Sequence, residues 1–591
     1  MPNPPVIQGY AGGLLAANHK VYVGDPLTNM VSVFDRDTFQ PQQKFPVHAP
    51  WRMTCDKDGK LWIINRSESD PNKGWWYTSE DPNSTAQVTQ YDPVTGKPTG
   101  KNIENMTGAT AVAMTPDNTL LVAGPNSQVL EFDISGAQPV PSGALGVKGG
   151  VYSDPAGVMG PDRLFGLWGV GCDKAGNIYT LARLPNEATG IDLRSFTHDG
   201  KTMNWQLYNV EFTGICGVDP ASDGLDVYTA ATHFRLDPTK PPGQQAEWKG
   251  YTLSPAYDDG RFTQGWNSPM MRRLDGRLYM YQRTGNYIGI FRPGPAETFI
   301  PSSLIDIAET WLFGTTTGDH AHELDWPPQQ PLVPGPPVHP GDKTPGPPVK
   351  IRWSWRDESG DGKMQASEIK PDPALQVGYV SGIWVDTKGD IWMCGDHTKI
   401  WHLPMLGFDT HQNPIYDSTK QIVPKSPPEF GEILRIQYDS DTDTMYLTGN
   451  PLNFQGKIFG GALGVLIIRY DHWSTSPTVK WKISVPQSDS DQHFPAFYVA
   501  GDRVFVMQRF MSRIWVYNSI DGTFVGTITP TQKTGASGWC DQTFGIQAFE
   551  RKDGSYCVFA EDDYRPKIRF YYVPPQPQPS PPLPLPSVSN P

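Results

Sequence analysis

No stretch of about 18 apolar residues occurs in the 591-residue chain, which excludes a transmembrane helix. Runs of basic residues are missing too, and the net charge is −13. Binding driven by neutralising nucleic-acid phosphates is therefore not expected. The six cysteines, Cys55, Cys172, Cys216, Cys394, Cys540 and Cys557, include no Cys-x-x-Cys pair and no zinc or haem spacing. They read as small core residues, with Cys540 and Cys557 the best candidates for a disulfide. Sustained 3.6-residue apolar periodicity is absent, so helices should be few. The N-terminus, Met1 to Gln8, has neither the basic nor the apolar region of a signal peptide. Either a signal was removed and Met1 added, or export takes another route.

What the chain has instead is turns and rings. Gly and Pro number 59 each, and Phe, Trp and Tyr make 12% against only 19% charged residues. This profile suits a rigid, loop-rich β protein of an extracellular, periplasmic or surface-associated kind. One phrase recurs about ten times. It reads Asp56-Lys-Asp-Gly59-Lys-Leu-Trp62, Asp173-Lys-Ala-Gly176-Asn-Ile-Tyr179, Leu274-Asp-Gly276-Arg-Leu-Tyr279 and Asp386-Thr-Lys-Gly389-Asp-Ile-Trp392, among others. Each is a polar turn, usually closed by Gly, leading into alternating apolar and aromatic residues, which is a hairpin signature. A second phrase follows, as in Val31-Ser-Val-Phe34-Asp35, Val88-Thr-Gln-Tyr91-Asp92 and Ile514-Trp-Val-Tyr517. Two hairpins per repeat make four antiparallel strands, one blade of a β-propeller. The expected fold is all-β, roughly eight to ten four-stranded blades in one ring, with two smaller propellers joined through 327–348 as the alternative. The expected organisation is an N-terminal arm (1–14), a propeller (15–573) with a long insertion at about 301–376, and a Pro-rich tail (574–591).

Chemistry is sparser than architecture. Asp357-Glu-Ser359-Gly-Asp361-Gly362-Lys363-Met-Gln365-Ala-Ser-Glu368 fits the twelve-residue calcium loop at positions 1, 3, 5, 6, 9 and 12. Asp357, Ser359, Asp361, the Lys363 carbonyl and Glu368 are the expected calcium ligands, in a structural role. Ile351 to Trp355 reads as a strand where an EF-hand has its entering helix. Residues just upstream of each first hairpin should open the innermost strands and line the mouth of the central channel. His48, Arg52, Arg163, Glu211, Glu429, Asp491, His493 and Asp541 lie at such positions and are the candidates for metal binding or acid–base work. Asp319-His320-Ala-His322-Glu323 reads as a surface loop, and Asp396-His397 and His402 as packed or hydrogen-bonded residues inside strands.

The Asp-x-x-Gly-x-Ile/Leu-Trp/Tyr phrase resembles NHL-type and YncE-like propellers over about 15–573, and the acidic loop resembles isolated calcium loops of bacterial propeller proteins. Length and the loop are also similar to quinoprotein alcohol dehydrogenases. However, the closing Trp of their docking motif and their vicinal cysteine pair are missing here. The resemblance implies a propeller and names no chemistry. The function expected is a calcium-stabilised, extracytoplasmic binding or assembly module. Its partner is another protein or a second copy, engaged through the Pro-rich tail and loops, or a glycan or small molecule. The alternative is a lyase, hydrolase or oxidoreductase working at the channel mouth.

Overall fold

The structure, a computed structural model, describes residues 11–66, 86–155, 158, 160–183, 191–209, 215–229, 232–252, 257, 268–284, 287–307, 332–335, 346–350, 352–375, 377–378, 380–455, 462–485, 493–509, 513–532, 540, 543–562 and 567–575. Among them every regular element is a strand or a short 3-10 turn. Antiparallel meanders follow one another along the chain, most of them four-stranded. We number them sheet 1 (13–46), sheet 2 (50–103), sheet 3 (111–145), sheet 4 (167–209), sheet 5 (217–251), sheet 6 (270–306 with 353–371), sheet 7 (380–403), sheet 8 (430–484), sheet 9 (496–528) and sheet 10 (546–573). The chain is an all-β protein of propeller-type sheets.

The recurring phrase folds as it does because one carboxylate serves both the turn and the ring. Asp56 Oδ1 accepts the N–H groups of Asp58 and Lys60 at 3.1 and 2.8 Å, and Oδ2 accepts Trp62 Nε1 at 3.0 Å. Asp386 does the same for Lys388, Asp390 and the Trp392 indole, and Asp173 for Ala175, Asn177 and the Tyr179 hydroxyl. The fourth residue is Gly because the turn needs φ of 76°, 88° and 88° at Gly59, Gly176 and Gly389. The aromatic six residues on thereby has its polar edge satisfied, inside the core for Trp62 and Trp392 and at a half-buried position for Tyr179.

The chain divides into two compact units, 1–211 with 254–258, and 212–253 with 259–591. The division thus falls elsewhere than 327–348. In the first unit, sheets 1 to 4 pack in series. The pleat sends alternate side chains to opposite neighbours. Leu61 and Ile63 join Val31, Val33 and Phe45 of sheet 1, whereas Trp62 and Ile64 join Val112, Leu120 and Val122 of sheet 3. The second strand is thus wholly buried (Leu61–Arg66), while the outermost (Pro98–Ile103) is largely exposed.

In the second unit the packing runs from sheet 5 through sheet 10 and returns to its start. Val558 and Ala560 of sheet 10 pack with Phe505 and Met507 of sheet 9, and Cys557 and Phe559 on its other face pack with Val218 and Val227 of sheet 5 and with Ile215 and Cys216 just before it. Polar clasps follow the same course. Arg273 holds Asp219 (2.6 Å), Arg272 Nε donates to Val385 O (2.6 Å), and Trp384 Nε1 donates to Tyr438 O (2.8 Å). Gln437 exchanges both amide bonds with the Val499 backbone, and Arg551 closes the sequence on Asp223 (3.0 Å), 328 residues away.

The Cys540–Cys557 disulfide is not formed; all six cysteines are free. Cys540 packs with the cluster on one face of sheet 10, and Cys557 points to the other. Cys55 and Cys172 do occupy equivalent places, each donating its thiol to the carbonyl of the next residue. The insertion extends sheet 6. Trp353–Arg356 pairs with the strand Phe299–Asp306, and Ile369–Pro371 pairs with Trp353–Arg356.

Candidate functional site

Three places in the second unit gather side chains of chemical interest. The first is its axis. One residue from the first strand, or its approach, in each of the six sheets lines it: Ile215, Met270, Ile383, Ile436, Phe497 and Ile546. Arg435, only 3% exposed, crosses this space. Its Nε donates to Pro495 O (3.2 Å) and Thr543 O (3.0 Å), and its Nη1 to Ser381 O (3.1 Å) and Leu434 O (2.7 Å). Its guanidinium also lies 6.0 Å from the Phe544 ring centroid. The cavity left beside it is about 40 Å³. That is room for about three waters.

The second place is the acidic loop. It is the turn of the hairpin that extends sheet 6, not the link between two helices. Asp357 Oδ1, Asp361 Oδ1 and Gln365 Oε1 each lie 3.2 Å from Ser359 Oγ. One hydroxyl has one proton, so at most one of these contacts is a hydrogen bond. Backbone donors also reach two of these oxygens, Gly360 N at Asp357 Oδ1 and Lys363 N at Asp361 Oδ1, both at 2.9 Å, and the lone pairs left over could serve a hard cation. Gly362, at φ 73°, makes the sharp turn, and its N–H donates to Asp357 Oδ2. Protein donors hold the rest. Arg292 Nη1 meets Asp357 Oδ2 at 2.6 Å, and Glu368 accepts Trp355 Nε1 and Ser359 N, both at 2.8 Å. Asn413, fully buried, ties Arg292 and the Asp357 carbonyl to the hairpin Met405–Tyr416. The loop oxygens therefore fit a cation in part, while Arg292 and Trp355 anchor the loop's two ends. No group of three or more His, Cys, Asp or Glu poised for a metal occurs among the described residues.

The third place is a groove of about 240 Å³ on the outside of sheets 9 and 10. Its floor is Phe505 and Tyr556, with ring centroids 5.7 Å apart. Tyr556 Oη donates to Asp502 Oδ1 at 2.5 Å. Burial first, and then that bond, hold the phenol above its ordinary pKa, so it stays a neutral donor. Val573 and Pro574, where the Pro-rich tail begins, form one wall.

The channel-mouth candidates are divided between the units. His48, Arg52 and Arg163 belong to the first, and Glu429 and His493 to the second. Glu211, Asp491 and Asp541 lie outside the described residues, as do 319–323. Each described candidate has local contacts. Arg163 donates to the carbonyls of Ser153, Asp154 and Pro155, and Arg52 lies 5.6 Å from the Trp51 ring. Glu429 accepts the Tyr470 hydroxyl at 2.9 Å, and the His493 carbonyl accepts Arg509 N. His402 stacks on Trp392 at 3.9 Å and bonds Asp390 at 2.7 Å, inside its sheet as the sequence suggests. Asp396-His397 is instead a turn, with φ of 40° and 68°. Sequence reasoning missed Arg435 and Gln437. The only signal was two long polar side chains on one face of the apolar strand Ile433-Leu-Arg-Ile-Gln437.

No helix among the described residues is long and apolar enough to cross a membrane. No protein-family model and no curated protein matches the chain. Among solved structures it is similar to hydrazine synthase from Kuenenia stuttgartiensis, with 12% identity and a TM-score of 0.25, covering 48% of this chain and 76% of that one. It is similar to the Swd1 β-propeller domain of Myceliophteria thermophila, with 10% identity and a TM-score of 0.24, covering 50% and 93%. It is also similar to Saccharomyces cerevisiae Sqt1, with 10% identity and a TM-score of 0.26, covering 79% and 96%. At these values the likenesses carry no argument about this chain's site or chemistry, and the propeller-type architecture rests on its own sheets.

Proposed function

We propose that the chain is an extracytoplasmic binding and assembly module, acting outside the cell, in the periplasm or at a surface. Its Pro-rich tail engages another protein or a second copy of the chain. The observation that supports this reading is where the open space lies. The groove at the root of the tail measures about 240 Å³, whereas the axis of the second unit, crossed by Arg435, keeps about 40 Å³. Small-molecule sites commonly take about 300–1,000 Å³; the cavity at the axis is far below that range, and the open groove suits an extended segment better than an enclosed substrate. Within this reading calcium is a structural ion, held by Asp357, Ser359, Asp361, the Lys363 carbonyl and Glu368, that stiffens the hairpin extending sheet 6. The test is sedimentation velocity of the full chain against a chain ending at Pro575. Shortening should shift the protein to a smaller species and leave its melting temperature nearly unchanged. An unchanged oligomeric state would favour the alternative, an enzyme at the channel mouth.

A further inference from the structure

Among the described residues sheet 10 is one strand short. Sheets 1 to 5, 8 and 9 each have four strands, whereas sheet 10 has Ile546–Glu550, Tyr556–Asp562 and Lys567–Val573 only. The chain then enters Pro574 and Pro575, which have no N–H to continue a ladder. The neighbouring outer strand, Phe524–Ile528, is left with Phe524 54% and Val525 46% exposed. The groove lies between that strand and Val573. Its floor is aromatic. Of its rim charges, Arg503 Nη1 meets Asp502 Oδ2 at 2.5 Å, and Glu550 Oε1 lies 3.2 Å from the Tyr556 hydroxyl, so the rim offers no cation left over for an acidic ligand. Such a groove favours an uncharged, apolar and preferably extended ligand.

We infer that this groove receives the Pro-rich tail of a second copy of the chain, with Leu583 and Leu585 as its anchors. The inference rests on the assembly reading above and names its receptor surface. Residues 576–591 have no charged side chains, so they meet no repulsion from the rim carboxylates, and Leu583 and Leu585 are the tail's large aliphatic side chains. Alternating prolines favour polyproline II, whose rise of about 3.1 Å per residue puts Leu583, nine residues beyond Pro574, roughly 28 Å from the start of the tail. The five-residue outer strand is only about 17 Å long. A tail of that rise would carry Leu583 past the end of its own groove. Residues preceding proline resist the turn that would bring it back. The same groove on another copy has no such limit, and a stiff ligand loses little entropy on docking.

The test uses the full chain, the chain ending at Pro575, and a fluorescent peptide of residues 576–591. The full chain should self-associate and the shortened one should not. The shortened chain should bind the peptide saturably by anisotropy. V525D, on an exposed strand position, should weaken peptide binding at least tenfold and dissociate the full chain. V140D, equally exposed at 53% on the outer strand of sheet 3, should do neither. A peptide with both leucines changed to Ser should fail to bind. Unaltered circular dichroism of both variants keeps the comparison free of misfolding. Peptide binding indifferent to V525D would overturn the groove and leave tail-mediated assembly standing. A full chain that stays monomeric would overturn the second copy as occupant, whatever the peptide does.

Discussion

Asp56→Ala tests the device that the sequence repeats most. The carboxylate is buried and accepts four hydrogen bonds, from Asp58 N, Lys60 N, Trp62 Nε1 and, at 2.7 Å, Gln90 Nε2. After truncation the two turn N–H groups regain water. The Trp62 indole, 0% exposed, and the Gln90 amide do not. An orphaned buried donor costs about 1–3 kcal/mol, so the pair should cost about 3–4 kcal/mol. That is a large part of a typical stability of about 5–15 kcal/mol. The assay is urea denaturation followed by tryptophan fluorescence, reading the transition of the unit that holds residues 1–211. The midpoint should fall with the slope unchanged. Asp58→Ala, at the exposed tip of the same turn, should stay within about 0.5 kcal/mol of the parent. Asp56→Asn should fall between the two. If Asp56→Ala is as stable as Asp58→Ala, the shared carboxylate does not hold the hairpin and the explanation of the repeat is wrong.

Asp361→Ala should lower the melting temperature in calcium and leave it unchanged in chelator. Equal loss in both would refute the ion. The Asp390 carboxyl is pushed up by burial, but its bonds to His402 and to Met405 N outweigh this and hold it below the usual carboxylate range. A carboxylate with a lowered folded-state pKa adds stability above its unfolded pKa of about 4, and that stability is lost as pH falls through the folded value. Asp390→Asn should therefore flatten the acid limb of the urea midpoint below about pH 4, and an acid limb as steep as the parent's would show that the pair contributes nothing.

What was legible in the sequence is what a few neighbouring residues decide among themselves. The Asp-x-x-Gly turn and its aromatic partner are settled within seven residues, so strands and hairpins could be placed from the phrase alone. The Pro run after Val573 likewise marks where the tail begins, since Pro574 and Pro575 cannot donate to a ladder. Long-range relations were not legible. The return of the second unit from sheet 10 to sheet 5 depends on Arg551 finding Asp223, which no local pattern encodes. Strand-opening positions such as His48 and Glu429 say how far along a sheet a residue sits, not which unit it belongs to. Cys540 and Cys557 are near in sequence, yet Cys540, outside the strands, packs against one face of sheet 10, while the pleat turns Cys557 to the other. Arg435 reads as an ordinary polar residue of a half-buried strand, and only the convergence of Ser381, Pro495 and Thr543 carbonyls makes it the side chain that crosses the axis.

The most direct measurement is a density map of the full chain at a concentration where it sediments as an assembly. Density for residues 580–588 of one copy, lying in the groove between Phe524–Ile528 and Lys567–Val573 of another, is the expected result. An assembly in which that groove stands empty, or a monomer with a small molecule bound beside Arg435, would contradict the assembly function.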